Sequence, residues 1–144
     1  MEIHFVFDKK EPFNTVSELK SKFEFDGRNG LNYIMFGEHW SEIEDQNRLI
    51  HQIESVLNVN LSLLDYWNDD VYDKELEIQD VQKVIENLKN QIESNPNFYQ
   101  NISYGFNIVE SYFKKQFLND INYLIQRFEI NIDNGAKKIK YETD

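Results

Sequence analysis

Seven apolar side chains, Val109, Phe113, Phe117, Ile121, Leu124, Ile125 and Phe128, recur at helical spacing. No other feature of the sequence restricts the fold as strongly, because a stripe that long has to be buried against something. The spacing predicts a long helix beginning near Asn107, with Glu110 at its third helical position and with Tyr112 and Leu118 widening the apolar side. A second stripe, Val81, Val84, Ile85, Leu88 and Ile92, predicts a helix capped by Asp80 and stopped by Asn95-Pro96. A third helix is expected over 42–57. Ser41 and Glu44 fit a capping box, and Ile43, Leu49, Ile50, Ile53, Val56 and Leu57 supply its apolar face.

Strand signals are short and lie toward the two ends. In "EIHFVF", residues 2–7, Ile3, Phe5 and Phe7 share one face, with His4 and Val6 on the other. The mixture predicts a strand buried partly on both sides. "KKEPFNT" reads as a loop, and 16–22 as a short helix. "FEFDGRNGLNYIMFG" has the grammar of a hairpin, with strands expected at 23–25 and 31–36 around Asp26-Gly27 and Asn29-Gly30. "NVNLSLL" alternates, which fits a short strand or a linker, and "NPNFYQNISYGF" reads as a loop or irregular strand.

Two continuations compete after Phe128. A hairpin about Asn134-Gly135 would pair Ile130 with Ile139, Phe128 with Tyr141 and Glu129 with Lys140. Alternatively the helix runs to about Asp133, Gly135 caps it in a left-handed conformation, and 137–142 is a strand. The strength of the stripe before Phe128 favours the second. The cluster Lys137, Lys138 and Lys140 would then sit on an edge strand, where lysines discourage edge-to-edge pairing. The order of elements predicts a single α+β domain over 1–144, a small, mostly antiparallel sheet with three main helices packed on it.

Charge narrows function. The chain has a net charge of −11, and "LLDYWNDDVYDKELEIQD", residues 63–80, contributes −6 of it through seven carboxylates and Lys74. Phosphate backbones and anionic membranes should repel such a chain, whereas basic proteins and cations should be attracted. There is no cysteine, which excludes a disulfide framework, a thiolate zinc site and a cysteine nucleophile. The first residues do not read as a secretory signal and no apolar run approaches the ~20 residues of a membrane helix, so a cytoplasmic protein is expected.

Catalytic and metal motifs are sparse. A calcium loop started at Asp65 would place Trp67 at position three, Asp70 at six and Leu76 at twelve, so the template fails. His4, His39 and His51 form neither H-x-x-x-H nor H-E-x-x-H. There is no G-x-S-x-G, P-loop or G-x-G-x-x-G. No catalytic residue, metal ligand or cofactor is predicted.

The acidic stretch itself admits two readings. Tyr66 and Trp67 are core residues at a helix end and Tyr72 caps the sheet, with the acids simply solvated. Or Asp65, Tyr66, Trp67, Asp69, Asp70, Tyr72, Asp73, Glu75 and Glu77 form a protein-binding patch. In that case the aromatics anchor the interface and the carboxylates steer a basic partner, standing in for phosphates.

"LLDYWNDDVYDKELEIQDVQKVIENLKNQIE", followed by an irregular segment and "FLNDINYLIQRFEINIDNGAKKIKYE", resembles small immunity proteins of bacterial polymorphic-toxin and contact-dependent inhibition systems. The likeness spans roughly residues 60–141 and is one of pattern: an acidic L-x-x-x-Y region, a helix, a loop, a long helix and a strand after a glycine. It implies a cytoplasmic antitoxin that binds and blocks one cognate toxin, and it carries over no site residues. The leading expectation is therefore an inhibitor of a basic toxin domain such as a nuclease. The alternatives are an interaction or adaptor module, dimerising through its aromatic-rich helices, and an enzyme of unrecognised type.

Overall fold

β3, Lys138–Thr143, occupies the centre of a three-stranded antiparallel sheet, between β1, Ile3–Phe7, and the short β2, Leu76–Glu77. This computed structural model describes residues 2–25, 30–37, 45–103 and 110–144. Among the described residues, five α-helices accompany the sheet: α1 Thr15–Phe23, α2 Gly30–Phe36, α3 Leu49–Leu57, α4 Ile78–Ser94 and α5 Phe117–Asp133. The architecture is α+β, with more helices than the three main ones expected.

The register sets Phe5 against Tyr141 and Phe7 against Ile139, so one face of the β1–β3 pair is apolar. Their rings meet α5 edge to face, with Phe128 6.1 Å from Phe5 and 5.9 Å from Phe7 between ring centres. The opposite face carries His4, Val6, Lys140 and Glu142 and is largely open to water. β1 is thus buried on one side only, not on both. The position of β3 also corrects the edge-strand reading of its lysines. Lys138 and Lys140 lie on the central strand, where Lys138 pairs with Glu77 and Lys140 with Asp73 at 2.8 Å.

The helices follow their stripes. α4 buries Ile78, Val81, Ile85, Leu88 and Ile92, and it begins at Ile78, two residues before the expected cap Asp80. α5 buries Phe117, Ile121, Leu124, Ile125 and Phe128, and a single π-helical turn, Tyr112–Gln116, precedes it. The helix runs to Asp133 and rules out the 128–141 hairpin. Its end is a Schellman motif: Gly135, at φ +95°, donates its N–H to the Ile132 carbonyl, and Ala136 donates to that of Asn131. α3 is regular from Leu49, after a 3₁₀ turn at Asp45–Asn47. The proposed cap residues Ser41 and Glu44, the turn at 26–29 and the helix start near Asn107 lie outside the described residues.

The strands expected at 23–25 and 31–36 are not strands. Phe23 ends α1, and 31–36 is helical. A short apolar run fits a strand and a buried helix equally well. Here Leu31, Ile34 and Met35 are the buried residues, at helical spacing. Gly30 opens that helix instead of turning a hairpin, and a Cβ there would stand 2.6 Å from the Tyr112 ring. "NVNLSLL" leads into a 3₁₀ turn, Ser62–Leu64. The aromatic residues of the last helix, Phe117, Tyr123 and Phe128, are all in the core, which removes them as a dimer surface.

Candidate functional site

The acidic segment runs between the buried Leu64 and Ile78, and buried side chains hold both ends. Asp65 accepts two hydrogen bonds from the Arg48 guanidinium, at 2.7 and 3.1 Å, and is 7% exposed. Its Oδ1 also accepts the Trp67 N–H at 3.1 Å. Tyr66 donates its N–H to the Met35 carbonyl, and the Trp67 indole donates to that of Phe36. Asn68 organises the next turn. Its side-chain oxygen accepts the Asp70 N–H and its carbonyl accepts those of Val71 and Tyr72. Val71 plugs into the core, and Asp73 takes a left-handed backbone at φ 56°.

Asp65 and Tyr66 are therefore buried, and neither is placed to touch a partner. An acid in an acidic run looks solvated until its cation is found, and Arg48 lies seventeen residues upstream. Trp67 is half-buried. Asp69, Asp70, Asp73, Glu75 and Glu77 are exposed, and Tyr72 stands 49% exposed among them. Tyr72 packs on neighbouring aromatic rings. It stacks on Trp67 with ring planes 11° apart and meets Tyr66 edge-on, while Phe36 supports both from below. The four rings grade from core to solvent, an arrangement that presents one aromatic face at little entropic cost.

Two of the five exposed acids already have cations. Lys140 holds the Asp73 carboxyl below its ordinary value through a hydrogen bond and its charge, and Asp73 and Glu77 raise Lys140 and Lys138 in return. Asp69, Asp70 and Glu75 remain as the excess negative charge of the segment. These acids do not converge on a point. Among the described residues, the group of histidine and carboxylate donors close enough to hold one ion is Glu2, His4 and Asp144, on the sheet. His51 is engaged elsewhere, 2.7 Å from Glu54. No described helix is long and apolar enough to cross a membrane.

No local sequence signal marks Phe13 as a surface residue of note. It is 93% exposed at the tip of the β1–α1 loop. Glu11 binds Arg127 at 2.9 Å and Asn131 at 2.7 Å, Asn134 donates to the Lys10 carbonyl, and Thr15 donates to that of Pro12. "KKEPFNT" signalled a loop, but its bracing depends on residues more than a hundred positions away. No family model, no curated protein and no solved structure matches this chain.

Proposed function

We propose that this chain is a non-catalytic inhibitor that binds and occludes a basic protein domain, in the manner of an immunity protein bound to its toxin. One observation carries the reading. Asp69, Asp70 and Glu75 are exposed within three positions of a half-exposed Tyr72 along a loop that is anchored at both ends by buried groups. A rigid aromatic at the centre supplies contact area, and the carboxylates around it steer a cationic surface and raise the association rate. A nuclease suits this chemistry, since the surface that holds phosphate would accept carboxylates in its place. The pattern resemblance over residues 60–141 supports the same class.

The test is capture from host lysate at low salt with tagged wild-type protein and with the Asp69→Lys/Asp70→Lys variant. The reading expects one basic protein in equal amount, released by salt and missing from the variant's eluate. Equal capture by both proteins would move the interface elsewhere.

Phe13 favours a second reading, an interaction module or homodimer. A large aromatic on a braced loop tip is a ready anchor for an apolar pocket. That reading expects a concentration-dependent dimer in sedimentation that Phe13→Ser abolishes, and a monomer at all concentrations overturns the homodimer.

A further inference from the structure

We infer that Glu2, His4 and Asp144 form a binding site for a zinc-class transition-metal ion on the open face of the sheet. Glu2 and His4 are two residues apart at the start of the sheet, so both point to the same side. The antiparallel register sets Ile3 against Thr143, which brings Asp144 opposite Glu2. One ligand atom from each of the three lies within 4.8 Å of the others.

The donor chemistry separates this group from the acids at 65–80. Imidazole suits zinc, copper and nickel, whereas calcium and magnesium prefer oxygen alone. His4 Nε2 and Asp144 Oδ2 stand 3.5 Å apart. That is about the donor–donor spacing of a tetrahedral shell with bonds near 2.1 Å. Asp144 is already oriented, because its Oδ1 accepts the Glu2 N–H at 3.0 Å and leaves Oδ2 directed toward the imidazole. A supporting hydrogen bond of this kind fixes a ligating carboxylate. Glu142 lies directly across from His4 in the register. It, a water or a partner's side chain would complete four-coordination. An ion here would join the first strand to the last and add to stability by linkage.

Calorimetric titration of the whole chain with Zn²⁺, and in parallel with Ca²⁺, tests the site, together with visible absorption on adding Co²⁺. The expected result is one Zn²⁺ per chain with intense tetrahedral Co²⁺ bands. His4→Ala should weaken Zn²⁺ binding at least about tenfold, since loss even of a supporting group costs ~10–100-fold. The His4 side chain is half exposed, so the variant should fold, which far-UV circular dichroism without metal checks. Unchanged Zn²⁺ affinity in His4→Ala would overturn the site. So would Zn²⁺ and Ca²⁺ binding alike with several ions per chain, the signature of diffuse attraction to acids.

Discussion

Arg48 and Asp65 form a two-pronged ion pair inside the protein, with side chains 6% and 9% exposed, and it ties the entry of α3 to the root of the acidic loop. A carboxylate from the most acidic stretch of the chain thus serves the core. Asp65→Ala takes the counterion from a buried guanidinium and should cost about 3–5 kcal/mol. Replacing both partners with apolar residues, Arg48→Met with Asp65→Leu, should recover much of that loss. Urea unfolding of the single and double variants measures it, and equal losses in both would refute a pairing role.

Asp69 and Asp70 present the opposite case. Both are exposed, and the bond that either gives to the Asn68 side chain comes from a main-chain group, the Asp70 N–H. Asp69→Lys with Asp70→Lys should leave stability within about 0.5 kcal/mol and slow association with a basic partner, most at low salt. Tyr72→Ser, which removes the ring stacked on Trp67, should act mainly on dissociation. Stopped-flow association and unfolding midpoints separate these outcomes. A sharp fall in the midpoint of the charge variant would make the loop structural.

Gly30 and Gly135 should respond to alanine for different reasons. At Gly135 a Cβ would meet Lys9 Cε at an ordinary 3.9 Å, but φ is +95°. The cost is backbone strain, about 1–2 kcal/mol. At Gly30 the methyl would lie 2.6 Å from the Tyr112 ring. Overpacking there should cost about 1–3 kcal/mol. Tyr112→Leu in the Gly30→Ala background should relieve the second loss relative to its own parent, and nothing comparable should rescue the first.

Stability should fall at both extremes of pH. The Asp8 carboxylate accepts the N–H groups of Lys137 and Lys138, which holds it below its ordinary 3.8, and Lys140 does the same for Asp73. Above that value both groups are ionised in the folded and unfolded chains, and their contribution is fully present. Below it the unfolded chain takes up protons first, so stability is lost as pH falls through the lower folded values. Tyr141 and Tyr112 behave conversely. Burial pushes both phenols up, and Asp120 adds to the effect at Tyr112. Their contribution is present below 10 and declines as pH rises beyond it, where the unfolded chain loses protons that the fold retains. Asp8→Asn should lower the urea midpoint near pH 7 and flatten its decline toward about pH 3. An unaltered acid slope would show that the hydrogen bonds do not matter energetically.

Elements whose evidence is local were legible in the residues alone. Residues 81–92 and 117–128 carry a helical period and 3–7 alternate, whereas Asn134-Gly135 suits a hairpin turn as well as a helix cap, and the course of α5 to Asp133 chose the cap. These signals come from neighbours within a turn or two of chain, and they survive in one dimension. Whatever depends on a partner far along the chain was settled only on folding. Residues 31–36 became a helix because Leu31, Ile34 and Met35 found a core on one side and Gly30 fitted under Tyr112. The strand at 138–143 became central because β1 and β2 pair on its two sides, one from the start of the sequence and one from its middle. Whether an acid faces water or the core was decided the same way. Asp65 and Asp69 look alike in the sequence, but only Asp65 meets a buried arginine, and burial of a charge is stable only where its counterion is brought to it.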